Sequence, residues 1–326
     1  MRSTIHKQNT LITRYCLAAV VLVALLGPLA GQARGDFVLY HDEQLTVDSA
    51  HDQGTLYDVS RAFIVSGGSV YRLYAYGLSN VDMSAGSVYI LYAYNFSTVD
   101  ISAGSVPYLY AFDSSAVDIS GGSIAVLYAS ISSTVDISGG SVVNNLTANG
   151  SSAVDISGGS VYNIGASDSS TVDISGGSVR SLSAFGSSAV DVSGGSITDL
   201  WARNSSTVAI SGGSVAFLHA DSSSVVTFSG RNFRVYGGLV FDGDYVLGTG
   251  LLSGEWFDGT PWAVNISDHT TSATILVIPD SGPKPLCLKY PTMDFDGNCK
   301  VDFIDLAILL QSWLECNIDP PSACWE

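Results

Sequence analysis

The sequence repeats itself. "STVDISGGSV" at 133–142 returns with small changes at 115–124, 152–161, 170–179, 188–197 and 206–215. Aligned on the valine of its VDIS-like core, the units fall at Val81, Val99, Val117, Val135, Val154, Val172, Val190, Val208 and Val226. Every step is 18 residues except one of 19, caused by a surplus residue within "SVVNNLTANGSSAV". A short fixed period means a stack of like units, none of which can bury its apolar side alone. Eighteen residues are too few for a strand–helix–strand crossover. The repeat therefore predicts short strands and turns only.

Two apolar patterns fill each unit. In "TVDIS", Val135 and Ile137 alternate with Asp136 and Ser138, the period of a half-buried strand. Gly139 and Gly140 then turn the chain. In "SIAVLYAS" a second strand begins at Ile124, with Leu127 and Ala129 facing one way and Tyr128 the other. Polar Ser and Asn residues turn the chain back. The expected fold class is all-β, a right-handed parallel β-helix or solenoid with 18-residue coils and a small α-helical calcium-loop module at the C-terminus. In such a rod valine stacks on valine and leucine on leucine. Residues 63–230 are read as the solenoid, 36–62 as an N-terminal cap and 231–280 as a C-terminal β cap, because raw sheet edges invite aggregation.

The first 35 residues read as an export signal. Arg2, Lys7 and Arg14 precede the apolar run 16–30, and "GQARG" offers small residues for cleavage. The run is shorter than the roughly 20 residues a membrane span needs, and Pro28 interrupts its end. The chain is thus expected outside the cell or on its surface, and not membrane-spanning once the signal is removed. Its formal net charge is −17, and the leader holds four of only 13 Lys and Arg. So acidic a chain repels nucleic acid, which removes nucleic acid as an expected partner.

Register would stack outward residues as well. Asp82, Asp100, Asp118, Asp136, Asp155, Asp173 and Asp191 share one slot, ended by Ala209. Carboxylates about 4.8 Å apart repel by roughly 0.9 kcal/mol even in water. Solvent and neighbouring hydroxyls, or bound cations, must offset that. A second column runs Tyr74, Tyr92, Tyr110 and Tyr128, flanked by Tyr76, Tyr94 and Phe112, and continues as Thr147, Gly165, Ser183, Trp201 and His219. Stacked tyrosines can stabilise one another or bind sugar rings. The four tyrosines are the candidate ligand-binding residues, with polysaccharide the candidate partner.

The most specific chemistry lies near the end, after a linker at 281–286. "DFDGNCKVDFID" (294–305) sets oxygen side chains at loop positions 1, 3, 5, 9 and 12, namely Asp294, Asp296, Asn298, Asp302 and Asp305. Lys300 would offer its backbone carbonyl. This is the ligand spacing of an EF-hand loop, and Ca²⁺ is the expected cofactor. Phe303, Leu306, Ala307, Leu310, Trp313 and Leu314 follow at helical spacing. Cys287, Cys299, Cys316 and Cys324 fall in the same segment, and in an exported chain they predict two disulfides with three pairings open.

These residues resemble a dockerin-type repeat, over 287–326. The resemblance implies a calcium-loaded module that docks to a cohesin-like or cell-surface protein, often carrying a polysaccharide-degrading enzyme. This chain departs from the family in having one repeat rather than two, and in placing Cys299 where the loop normally has glycine. No catalytic constellation is read from the sequence, and the five histidines and few arginines are scattered. The reading is a non-catalytic structural, adhesive or carbohydrate-binding protein. The alternative is a carbohydrate-active β-helix, a polysaccharide lyase or glycoside hydrolase, delivered by the same module.

Overall fold

The structure, a computed structural model, describes residues 35–270 and 272–279. Each lap of the chain makes one four-residue strand, such as Thr134–Ile137, and one seven-residue strand, such as Ser123–Ala129. Both pair in parallel with their counterparts one lap on. Val117 stands beside Val135 and Val135 beside Val154, with Asp118, Asp136 and Asp155 equally in line. Leu109, Leu127 and Leu146 match in the other ladder. The chain is therefore an all-β parallel solenoid of about eleven coils with 18-residue spacing. Among the described residues no helix occurs, so none is long and apolar enough to cross a membrane.

The coils outnumber the nine units legible in the sequence. Gln44–Val47 pairs with Arg61–Ile64, and that strand pairs with Asn80–Met83, so the segment expected as a cap already carries coils. Inside, valine, isoleucine, leucine and alanine columns are fully buried. The seven-residue strands from Ser69–Ala75 to Ser214–Ala220 bury their second, fifth and seventh residues, which leaves two successive residues outward in between. That irregularity gives the strand a corner and the rod an extra outward column.

The two turns of each lap obey different constraints. At Gly67–Gly68 the leading residue has positive φ, whereas at the glycine pairs from Gly121–Gly122 to Gly212–Gly213 only the second does, for example Gly140 at 69°. The first is glycine because the preceding coil lies too close. A Cβ on Gly139 would overlap the Ser120 carbonyl, and one on Gly158 that of Ser138. Ala85 and Ala103 occupy this slot in two coils. There the N–H bond to the coil below lengthens to 3.4 Å, against 3.2 Å for Gly121 and Gly139. At the other turn a left-handed residue is followed two places later by a serine. Ser79, Ser97, Ser115, Ser133 and their equivalents form a fully buried column that the sequence reading took for ordinary turn polarity. In Ser133 and Ser206 the Oγ accepts the N–H three residues back, from Ser130 at 2.9 Å and Arg203 at 3.0 Å, and closes the turn, whereas Ser79, Ser97 and Ser115 are buried with no hydrogen-bond partner at Oγ.

Both ends are plugged. Gly54 stands in the leucine column beside Leu73, and the Phe37 ring fills the space its side chain would take. His51 meets that ring edge-on at 5.1 Å and donates from Nδ1 to the Gly35 carbonyl at 2.8 Å. At the far end Pro261–His269 and Thr274–Pro279 extend the two parallel ladders beyond the last coil, and Gly250–Glu255 adds antiparallel pairing. Trp262 lies between Phe228 at 5.1 Å and Trp256 at 4.6 Å, and Trp256 Nε1–H donates to the Gly213 carbonyl.

One turn is strained. The left-handed slot holds Asn95, Asp113, Gly150, Asp168, Gly186 and Asn204, residues that accept positive φ, but also Ile131 at 68°. A β-branched side chain there crowds its own backbone. Ile131→Asn should raise stability by about 1 kcal/mol. Urea unfolding checks this, and a midpoint unchanged or lowered would count against the strain.

Candidate functional site

The outward columns of the long strands carry the candidate site. Tyr74, Tyr92 and Tyr110 stack in parallel at 5.0 Å from ring to ring, and Tyr128 follows at 6.4 Å, tilted by 52°. One turn position beyond lies a second column. Tyr40, Tyr57, Tyr76, Tyr94 and Phe112 stack at 5.0 to 5.4 Å. The two columns touch sideways, Tyr74 to Tyr76 at 6.3 Å and Tyr92 to Tyr94 at 6.0 Å. The result is a wall of rings two columns wide. Because the faces within a column are turned to each other, the wall presents mainly ring edges and phenol hydroxyls. Desolvation and the neighbouring phenols push Tyr76, Tyr92 and Tyr94 above the usual tyrosine range, so these hydroxyls stay protonated. Beside the wall, the turn tips Leu78 and Phe96 are each 63% exposed, with Val59 in the same slot one coil earlier.

The later coils act as an internal control. The slots that hold Tyr74 to Tyr128 hold Thr147, Gly165 and Ser183 farther along, and those of Tyr76 to Phe112 hold Ser130, Asn149 and Ser167. The leucine and alanine columns beneath are buried there just as fully, for instance Leu182 and Ala184. The coil therefore forms without the rings, and the aromatic wall is a surface property the fold does not need. Sequence reasoning found the four candidate tyrosines and their flanking rings. It missed Tyr40, Tyr57 and the exposed turn tips; for Tyr57 and the tips the signal is a fixed distance from the buried serine, and Tyr40, followed by Glu43, lacks it.

Near the far end a different group fills the same columns. Trp201 and His219 stack at 3.6 Å, Arg203 Cζ sits 4.4 Å from the Trp201 ring, and Arg203 Nε lies 3.4 Å from Asp221. Burial lowers the His219 pKa, with Asp199 and Asp268 opposing, so the ring is neutral at ordinary pH. One ring face is covered by Trp201, and Nδ1 is buried with no hydrogen-bond partner.

The aspartate ladder stands on the short strands, in register from Asp82 to Asp191 and ended by Ala209. Its first members have side-chain donors. Arg61 donates to Asp82, and Asn80 Nδ2 donates to Asp100 at 3.0 Å. Partial desolvation raises Asp100 and Asp173, with flanking carboxylates adding to the effect. Asp136, at the centre, is raised to about 6 by desolvation, then by hydrogen bonds and repulsion from Asp155 and Asp118. Among the described residues no three His, Cys, Asp or Glu side chains form a group that could hold a metal ion. The loop ligands Asp294, Asp296, Asn298, Lys300, Asp302 and Asp305, and Cys287, Cys299, Cys316 and Cys324, lie outside the described residues. No family model, no curated protein and no solved structure matches this chain.

The ladder sets a pH dependence. The folded chain protonates Asp136 at about 6, against a usual value of 3.8, so between those values it holds more protons than the unfolded chain. Stability from this source is complete below 3.8 and is lost as the pH rises through about 6. Asp258, lowered by its bonds to Thr260, has the opposite sign but acts only below that window, whereas His219, lowered from 6.5 by burial, opposes within it. The ladder's share is therefore read against Asp136→Asn: as the buffer is taken from about pH 7 to about pH 5, the wild-type melting temperature should gain on that of the variant. A difference that stays constant or shrinks over the same interval would contradict proton sharing in the ladder.

Proposed function

We propose that the protein is an exported, non-catalytic β-solenoid that binds carbohydrate or another repeating surface polymer along its N-terminal aromatic wall. A calcium-binding dockerin-like module at 287–326 attaches it to a cohesin-like or cell-surface partner. The single observation that supports the binding role is the confinement of the continuous tyrosine stacks to the N-terminal coils of a backbone that repeats unchanged through Thr147, Gly165 and Ser183 without them. Exposed apolar ridges on soluble proteins mark contact surfaces. Rings already held by stacking lose little freedom on binding, so more of the contact energy appears as affinity. A polymer that repeats along its length meets the same phenol groups at each coil and gains by avidity. The same reading takes the coil as right-handed, the hand that parallel crossovers adopt.

The tail supplies the attachment. Five oxygen side chains at EF-hand spacing suit a hard cation, and a segment of about 40 residues needs a metal or disulfides to fold. It has candidates for both.

Two measurements test the reading. Tyr92→Ser with Tyr94→Ser copies the natural residues of later coils, Ser183 and Ser167, and should leave the melting curve nearly intact. Retention on a polysaccharide panel in Ca²⁺ should fall roughly ten-fold, the loss of about 1.4 kcal/mol that a ring contact supplies. Unchanged retention defeats the assignment of the wall, and new reducing or unsaturated ends in the bound polymer defeat the non-catalytic reading. Separately, Asp294→Ala with Asp296→Ala should abolish calcium uptake by the tail. Calorimetry with undiminished uptake would rule out that loop.

A further inference from the structure

The surplus residue among the nine legible repeats has a structural product. Strand Ser141–Ala148 carries eight residues where Ser123–Ala129 and Ser160–Ala166 carry seven. Register slips between Val142 and Asn145, so Val143 and Asn144 form a bulge on the outward corner of the rod. Val143 is left 47% exposed. In the coils that follow, the corner slot holds Tyr162, Arg180 and Thr198, next to the exposed serines Ser160, Ser178 and Ser196. With Val143 these residues line an open depression of about 370 Å³.

Its chemistry is particular. Arg180 Cζ lies 4.8 Å from the centre of the Tyr162 ring. Arg61 and Arg203 pair with Asp82 and Asp221, whereas among the described residues Arg180 has no carboxylate within ion-pair distance. Asp199 stands one coil on and one residue across without pairing with it. A guanidinium resting on a ring keeps its five N–H donors for something else, and its plane is already oriented. The rest of the depression offers hydroxyls and a short apolar wall, and its open form lets a long chain pass.

We propose that this depression is a subsite for a carboxylated sugar unit of an acidic polysaccharide, with Arg180 forking onto the carboxylate and the serine and threonine hydroxyls meeting the sugar hydroxyls. This rests on the polymer-binding reading above but uses a separate set of residues. The general field of so acidic a chain repels polyanions, so only a local fork can hold one.

The test titrates full-length protein with a defined oligouronate, the neutral oligomer of the same linkage, and oligoglutamate. Arg180→Ala should weaken oligouronate binding at least ten-fold, the scale of a charge-assisted pair. Arg180→Lys should restore only part of it. Deleting Asn144 returns the strand to seven residues and should cost a similar factor with melting preserved. Arg72→Ala, which removes the guanidinium 5.1 Å from the Tyr71 ring, should change nothing. Equal oligouronate binding by the Arg180→Ala protein overturns the subsite. So does an equal loss from Arg72→Ala, and oligoglutamate binding as tightly would reassign it from sugar to peptide. Tyr92→Ser with Tyr94→Ser should leave oligouronate binding intact and Arg180→Ala should leave neutral-polymer retention intact, which separates failure here from failure of the aromatic wall.

Discussion

The backbone hydrogen bond from each coil to the next governs the rest of the molecule. It is made in register by every strand and by both turns, as where Thr134 N–H meets the Ser115 carbonyl at 2.9 Å and Ser138 N–H the Ile119 carbonyl at 2.9 Å. A slip of one residue would turn every valine and leucine outward. The turn glycines enforce the same closeness, since no side chain fits between stacked turns without stretching the bond, as at Ala85 and Ala103. Once this spacing is set, the inward slots have almost no latitude. The outward slots have a great deal, and what occupies them says what the surface is for.

That division explains what was legible in the sequence. The beat, the alternation of Val135 and Ile137 with Asp136, and the two outward columns could be read because every coil solves the same packing problem. Events that occur once leave no period. Phe37 filling the place of a side chain at Gly54 is one, and the tryptophan plug at Trp256 and Trp262 is another. The buried serine column does repeat, but a serine near a turn looks the same in sequence whether it faces solvent or closes the turn from inside. In the candidate site Tyr74, Tyr92, Tyr110 and Tyr128 follow the strand alternation and were found. Tyr40 and Tyr57 share a column with Tyr76 and Tyr94, but they precede Val81, the first unit whose beat is legible, and their coils are spaced by 17 and 19 residues rather than 18.

The bulge at Val143 and Asn144 shows how such a rod gains a local feature. A regular solenoid presents long uniform strips, good for repeating partners and poor for a discrete ligand. A surplus residue in one strand leaves the inward columns intact, since Val142, Leu146 and Ala148 are all buried, and displaces only the corner. The disturbance is thus absorbed where latitude exists. Val143 is placed to line the recess beside Tyr162 and Arg180 and the core is left intact, while a smaller recess of the same kind runs along Tyr71 and Tyr89 where no bulge occurs.

Stacking in register has opposite consequences for different side chains. For the tyrosines each added neighbour covers another ring face, and the wall grows more rigid with length. For the aspartates each added neighbour adds repulsion, and the burden is greatest in the middle. Asp82 is relieved by Arg61 and Asp100 by Asn80, and Ala209 gives Asp191 no carboxylate beyond it. Asp136 is the fourth of seven, has a carboxylate on both sides, and is the member raised to about 6. Below about pH 6 a proton on Asp136 turns repulsion into a hydrogen bond with Asp118 or Asp155, and the centre of the ladder then shares protons. Full ionisation would load every rung at once. The column therefore ends at Ala209 while the valines on either side of it, Val190 and Val226, continue unbroken through Val208.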